Sequence, residues 1–134
     1  MLNTLMLPLA QIQPSQLYIS TAKLADVASW WSPPCLVTLT PIPVVKLHGA
    51  IVATDGHTRA FAAYRAGFAE VPVTWDNDDL DWAAYRICVD WCRAEGIRTV
   101  MDLVDRVVEP AVYQRLWLDR CRRMHQVLEE SGIS

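Results

Sequence analysis

The stretch from residue 50 to residue 73 constrains this chain most, because it predicts a strand, a polar turn and a helix in immediate succession. The apolar run Ile51-Val52-Ala53 predicts a strand, and Gly56 is the residue best suited to a tight or positive-φ turn after it. An alanine-rich segment then predicts a helix that ends at Gly67, where a left-handed cap is favoured. A further strand begins at Val71-Pro72-Val73.

The turn before this helix carries the residues Asp55-Gly56-His57-Thr58-Arg59. Amides at a helix N-terminus lack intrahelical partners and lie at the positive end of the helix dipole, so anions bind there. Thr58 or Asp55 can cap the helix, and Arg59 adds a guanidinium fork that matches phosphate oxygens. His57 adds a group that changes charge near neutral pH. Gly56, His57, Thr58 and Arg59 are therefore the predicted phosphate-binding residues.

The order of these elements resembles the domain shared by the chromosome-partitioning protein ParB, sulfiredoxin and the free-serine kinases. Gly56 and Arg59 match the glycine and arginine common to their turn motifs, and the turn is most similar to the D-G-H-H-R form of the free-serine kinases. The similarity extends from about Leu5 to Trp75. This resemblance implies a nucleotide triphosphate or diphosphate at the turn, and phosphoryl transfer there would require Mg²⁺.

The turn departs from the family at two positions, and these departures decide which chemistry to expect. His57 stands where ParB has a glutamate and sulfiredoxin its reactive cysteine, and Thr58 replaces the middle arginine or histidine. Sulfiredoxin chemistry is not expected, and the ParB glutamate is missing. A kinase-like role agrees best: Asp55 binds metal or accepts the proton of an acceptor hydroxyl, while His57 and Arg59 bind phosphate. Asp55 and His57 are thus the catalytic candidates of a small-molecule phosphotransferase or a nucleotide hydrolase, whose acceptor the sequence does not identify.

Two other interpretations of the chain stay open. Gly56 to Arg59 also fit a purely structural turn, with glycine for backbone shape and arginine for a surface ion pair. Alternatively, the chain is a non-catalytic interaction module that binds a protein or nucleic acid partner through tryptophan-rich or arginine-rich helices. The six tryptophans of the sequence, and four arginines near its end, motivate this alternative: Arg115, Arg120, Arg122 and Arg123.

The rest of the pattern predicts an α+β fold. Residues 1–134 are expected to form a single domain, with a ParB/sulfiredoxin-like core over 1–76 that holds a small mixed sheet, and a helical extension over 77–134 packed on it. Pro41 and Pro43 suggest an edge strand or an irregular strand start. The predicted elements outside the turn are a strand over 5–12, a helix over 21–31, a hairpin over 44–54 and three helices over 80–95, 99–108 and 110–130.

Composition limits the classes of partner and compartment. The formal net charge of −3 argues against a chain that coats nucleic acid, and the segment after residue 76 does not match the DNA-binding region of ParB, so DNA binding is not expected. The sequence holds neither a convincing signal peptide nor a membrane span, which favours the cytoplasm and reduced cysteines. Cys88, Cys92, Cys121 and His125 are spaced by helical turns, yet not in a familiar zinc pattern, and no metal site is expected there.

Overall fold

The computed structural model of the protein describes residues 4–32 and 35–132. Its strands are β1 (Thr4–Pro8), β2 (Ile12–Gln13), β3 (Ile19–Ser20), β4 (Ile42–Leu47), β5 (Ala50–Ala53), β6 (Glu70–Trp75) and β7 (Val107–Val108). Its helices are α1 (Thr21–Trp30), α2 (His57–Arg65), α3 (Trp82–Ala94), α4 (Pro110–Tyr113) and α5 (Asp119–Ser131), with a π-helical segment, Gln114–Leu118, joining the last two.

The main sheet is mixed and has the strand order β1-β6-β4-β5-β2. The pairs β1–β6 and β4–β5 are antiparallel, whereas β4–β6 and β2–β5 are parallel. A second, two-stranded parallel sheet joins β3 to β7. The predicted α+β class with a small mixed sheet is therefore confirmed.

The β4–β5 hairpin forms as predicted. His48 and Gly49 both have positive φ, 51° and 77°, as a two-residue turn that follows strand twist requires. Of the two alternatives for Pro41 and Pro43, the edge strand is wrong, because β4 pairs on both sides; both prolines do lie at the start of the strand, which begins at Ile42. Pro43 is tolerated since it precedes the first β4–β5 pair, Val44 with Ala53, so its missing N–H removes no bond from that ladder.

One predicted strand is divided in two. The segment over 5–12 breaks after Pro8 into a 3₁₀ turn, Leu9–Gln11, and its two parts occupy opposite edges of the main sheet. The helix predicted over 21–31 ends at Trp30, and the prolines 33 and 34 expected to stop it lie outside the described residues.

The C-terminal part contains the largest difference from expectation. Thr99 and Asp102 form a capping box, but they start only a 3₁₀ turn, Val100–Leu103, in place of the helix predicted over 99–108. The following residues Val107 and Val108 pair with β3 instead of extending a helix, because β-branched side chains suit a strand and β3 offers a free edge. The helix predicted over 110–130 forms, with Pro110 in its first turn as expected.

The hydrophobic core joins the two parts of the chain. Phe61 of α2 and Val44 of β4 share one buried cluster with Trp117 and Leu128 from the C-terminal segment. Along that segment the side chains of Tyr113, Trp117, Met124 and Leu128 are buried, while Cys121 is half-buried. Among the described residues, no helix combines the length and apolarity needed to cross a membrane.

Candidate functional site

Asp55 and Gly56 lie between the end of β5 and the start of α2, while His57, Thr58 and Arg59 form the first turn of α2. Gly56 is the residue before the helix and has a φ of 74°. Its N–H donates to Asp55 Oδ1 at 2.8 Å. Neither Asp55 nor Thr58 caps the helix through a side chain, so the amides of residues 57–59 have no intrahelical acceptor. These amides remain available to an anion.

Gly56 is required by close contacts as well as by its backbone angle. A Cβ atom at this position would lie 2.7 Å from Arg59 Nη2 and 3.1 Å from Ile42 Cδ1. The guanidinium of Arg59 thus packs over the bare Cα of Gly56. The position of the Arg59 guanidinium therefore requires a residue without a side chain at position 56.

Arg59 ties the helix to the segment before β4. Its Nε donates to the Thr40 carbonyl at 3.2 Å and its Nη2 to the Pro41 carbonyl at 3.1 Å. Burial lowers the pKa of this half-buried guanidinium, and the Asp55 carboxylate partly opposes that effect. Because a guanidinium has five N–H donors, these two bonds leave others for a ligand.

His57 is buried and its ring is held by the chain before α1. Its Nε2 accepts the Ser15 N–H at 2.9 Å, which places the proton of the neutral ring on Nδ1. Burial lowers the pKa of His57 to about 4; Asp55 acts in the opposite direction, and Arg59 and Lys23 reinforce the decrease. The expectation that His57 changes charge near neutral pH is therefore wrong. At pH 7 the ring is a neutral hydrogen-bond donor through Nδ1.

The turn residues line an open cleft of about 320 Å³ between α1 and α2, here called the turn cleft. All five residues from Asp55 to Arg59 contribute to it. Sequence reasoning missed three polar contributors from the preceding part of the chain, Gln16, Lys23 and Asp26. They precede the turn by about thirty residues or more, and no motif marks them.

Lys23 is positioned by the C-terminal segment. Its Nζ donates to the Tyr113 hydroxyl at 3.2 Å and lies 4.9 Å from the centre of the Tyr113 ring. The lysine is therefore held at the cleft by a residue of α4. A basic side chain from α1, Lys23, and one from α2, Arg59, thus line the same cleft.

Two further cavities adjoin the turn. An acidic cavity of about 540 Å³ shares Asp55 with the turn cleft and includes Trp75, Asp76 and Tyr85. Thr54 also borders it, but the Thr54 hydroxyl already donates to Asp76 Oδ2 at 2.6 Å. This threonine is therefore engaged in the fold instead of facing a phosphate.

The second neighbouring cavity, here called the helix cavity, measures about 410 Å³ and lies against α3 and α5. It shares Gln16 and His57 with the turn cleft. Tyr85 lines both this cavity and the acidic one, and its hydroxyl donates to the Thr54 carbonyl at 3.2 Å. The turn is thus the meeting point of three cavities.

The remaining candidate groups do not assemble into a metal centre. Across residues 4–32 and 35–132, no group of three or more His, Cys, Asp or Glu side chains is arranged to hold a metal ion. Cys92 is buried in the core, while His125 Nδ1 lies 3.8 Å from Asp81 Oδ2. His48 is exposed in its hairpin turn.

Comparison with known proteins identifies no family. No protein-family model matches the sequence, and no curated protein matches it. Among solved structures, the chain is similar to the crystal structure of protein Atu1540 from Agrobacterium tumefaciens, with a TM-score of 0.45 and 12% sequence identity. The match covers 72% of this chain and 50% of that one, so the chain spans about half the length of its structural relative.

Proposed function

We propose that the turn cleft binds the phosphate groups of a nucleoside diphosphate or triphosphate. The observation that carries this proposal is that Lys23 and Arg59, from two different helices, line one open cleft together with a helix N-terminus that no side chain caps. Each of these groups attracts phosphate: the amides through the helix dipole, the lysine as a point charge and the arginine through paired donors. Nδ1–H of His57 supplies a further neutral donor.

Mg²⁺ is part of the proposal because of the charge of the cleft. Asp26 and Asp55 line the same cleft as Lys23 and Arg59, so two carboxylates offset two cations. Mg²⁺ commonly binds through one or two carboxylates together with substrate phosphates. A magnesium ion on Asp55 or Asp26 would offset the repulsion between carboxylate and phosphate, because the ion binds both groups.

Phosphoryl transfer to a small-molecule hydroxyl, or to water, is the reaction that such a site would support. Asp55 lies between the turn cleft and the acidic cavity, so it can reach both a bound phosphate and an acceptor that enters beside it. His57 does not serve as the base through Nε2, since that atom accepts the Ser15 N–H. In this proposal Asp55 orients the metal or accepts the acceptor's proton, and His57 binds phosphate. The cytoplasm, where nucleotides and Mg²⁺ are abundant, is the proposed location.

A non-catalytic interaction module is the second candidate, favoured by the exposure of large apolar side chains. The indoles of Trp30, Trp75 and Trp82 are 44%, 37% and 39% exposed. The arginine-rich face supports this candidate less, because Arg120 lies 4.1 Å from the Trp91 ring centre and pairs with Glu95. DNA is not among the proposed partners.

Thermal unfolding with ATP, ADP or CTP, with and without Mg²⁺, tests the proposal. A nucleotide at about 100 times its dissociation constant adds about 2.7 kcal/mol to the stability of the folded state. We expect the wild type and Arg65→Ala to be stabilised, because Arg65 is exposed on the same helix outside the turn cleft. Arg59→Ala should lose most of the shift, measured against its own melting temperature without ligand.

The opposite results are equally informative. If no nucleotide raises the melting temperature of the wild type, the nucleotide proposal fails and the interaction module becomes the leading candidate. If Arg59→Ala and Arg65→Ala are stabilised equally, a nucleotide binds, but not at the turn cleft.

A further inference from the structure

Two cysteines from different helices share the wall of the helix cavity. Cys88 belongs to α3 and Cys121 to α5, and both line this cavity. The two helices pack against each other. Cys121 also packs against the core cluster that contains Cys88. The helix cavity thus brings together two thiols from elements distant in sequence.

The two thiols differ in exposure and acidity. Cys88 is buried, whereas Cys121 is half-buried at the cavity wall. The interaction between the two thiols lowers the pKa of Cys121 and raises that of Cys88; burial also raises the pKa of Cys88 and opposes the decrease at Cys121. The nearby Arg120 guanidinium also lowers the pKa of Cys121. Cys121 is consequently the more nucleophilic of the two, and Cys88 is placed to attack it once it is oxidised.

We propose that Cys88 and Cys121 are a redox modification site, which closes to a reversible disulfide between α3 and α5 when a hydroperoxide enters the helix cavity. The Cys121 thiolate attacks one peroxide oxygen, the O–O bond breaks, and Cys121 becomes a sulfenic acid while the other oxygen leaves as hydroxide or alkoxide. Cys88 sulfur then attacks Cys121 sulfur, the S–O bond breaks, and water leaves with the proton of the Cys88 thiol. With hydrogen peroxide, two thiols and one peroxide give one disulfide and two waters.

This inference does not depend on nucleotide binding, although the two sites adjoin. The disulfide would fix the separation of α3 and α5 on one side of the helix cavity. His57 lines that cavity and the turn cleft, so the cavity that holds both cysteines borders the proposed phosphate site.

Two other cysteines provide matched comparisons within the chain. Cys92 lies one helical turn after Cys88 on α3 but is buried in the core, and burial raises its pKa to about 12. Cys35 is exposed. If oxidation depended only on a position close to Cys88 on α3, Cys92 would react in place of Cys121. If it depended only on exposure, Cys35 would react.

The test is peptide mapping of the folded full chain after treatment with hydrogen peroxide, followed by denaturation and alkylation. Cleavage before aspartate separates Cys88 from Cys92, because Asp90 lies between them. We expect a mass decrease of about 2 Da, loss of two alkylatable thiols, a linked peptide pair containing Cys88 and Cys121, and reversal by dithiothreitol. Cys92→Ser should retain the link, and Cys121→Ser should lose it.

The wild-type map alone decides the matter, so the test does not require the variants to fold. Full alkylation of all four cysteines after peroxide treatment would overturn the proposal. A disulfide that joins Cys92 or Cys35, or a link formed only between two molecules, would overturn it as well.

Discussion

Replacing Gly56 with alanine should destabilise the protein more than the same change at Gly49, although both residues have nearly the same φ, 74° and 77°. A left-handed conformation costs an ordinary residue about 1–2 kcal/mol, and this cost is common to both positions. Gly49 has no other atom within 4 Å of an added Cβ. Gly49→Ala is therefore the matched control that measures the backbone cost alone.

At Gly56 the new methyl group would also displace Arg59, since Nη2 lies 2.7 Å from the added carbon. The guanidinium would lose its bond to the Pro41 carbonyl, and hydrogen bonds to charged groups contribute about 1.5–3 kcal/mol. We expect Gly56→Ala to cost about 2.5–5 kcal/mol in total and Gly49→Ala about 1–2 kcal/mol. Denaturation by urea, with midpoints compared at unchanged slope, measures both values.

A double-mutant cycle with Arg59→Ala isolates the contact. Because Arg59→Ala removes the group that the new methyl displaces, Gly56→Ala should cost less in that background, where the backbone amount and the contact with Ile42 Cδ1 remain. Equal costs at Gly56 and Gly49 in the wild-type background, or no coupling in the cycle, would refute the argument that this glycine makes room for the arginine.

Two further predictions concern the titratable groups of the turn. The unfolded chain protonates His57 below about pH 6.5, whereas the folded chain does so only below about 4. Between these values the unfolded state binds more protons, so stability falls as the pH decreases through that window, by about 2 kcal/mol at pH 5, relative to pH 7.5. His57→Gln should remove this part of the pH dependence, measured by urea denaturation at pH 7.5 and at pH 5. If the free energy of unfolding differs between the two pH values as much in His57→Gln as in the wild type, His57 is not a buried, neutral histidine. Asp55→Asn keeps an oxygen that accepts the Gly56 N–H but removes the negative charge. We therefore expect Mg²⁺ to increase the nucleotide affinity of the wild type but not that of Asp55→Asn. The control Asp105→Asn, at an exposed position, should retain the increase. An enhancement that Asp55→Asn leaves intact would exclude this carboxylate as the metal ligand.

Local sequence signals predict the turn and the hairpin well, because their determinants lie within a few residues. Gly49, Gly56 and Gly67 all have positive φ where the sequence requires it. The helix after Gly56 ends before Gly67, as expected. Here the residue types leave few backbone alternatives, so short-range reasoning suffices.

The elements that sequence reasoning missed depend on distant partners. Val107 and Val108 become a strand only because β3 lies beside them, and the capping box at Thr99 supports a 3₁₀ turn equally well. Lys23 reaches the turn cleft because α1 packs on α2 and Tyr113 holds its ammonium group. Such tertiary contacts leave no periodic mark in the sequence.

The charge state of His57 illustrates the same limit within the site. The residue type alone predicts a group that titrates near neutral pH. Its burial, and the Ser15 N–H that its ring accepts, are set by the fold and keep it neutral at pH 7. The identity of a site residue can thus be predicted while its chemical role depends on its surroundings.

Calorimetric titration of ATP in the presence of Mg²⁺ shows whether Lys23 binds phosphate in the turn cleft, when Lys23→Gln is compared with Lys46→Gln. These are the two lysines of the sequence; Lys23 lines the turn cleft, and Lys46 is exposed on β4 outside it. We predict that each chain binds one ATP and that Lys46→Gln leaves the affinity for ATP unchanged. Lys23→Gln should lower this affinity about 5–30-fold, equivalent to about 1–2 kcal/mol. Equal affinities of the two variants, or no binding by the wild type, would contradict phosphate binding at the turn cleft.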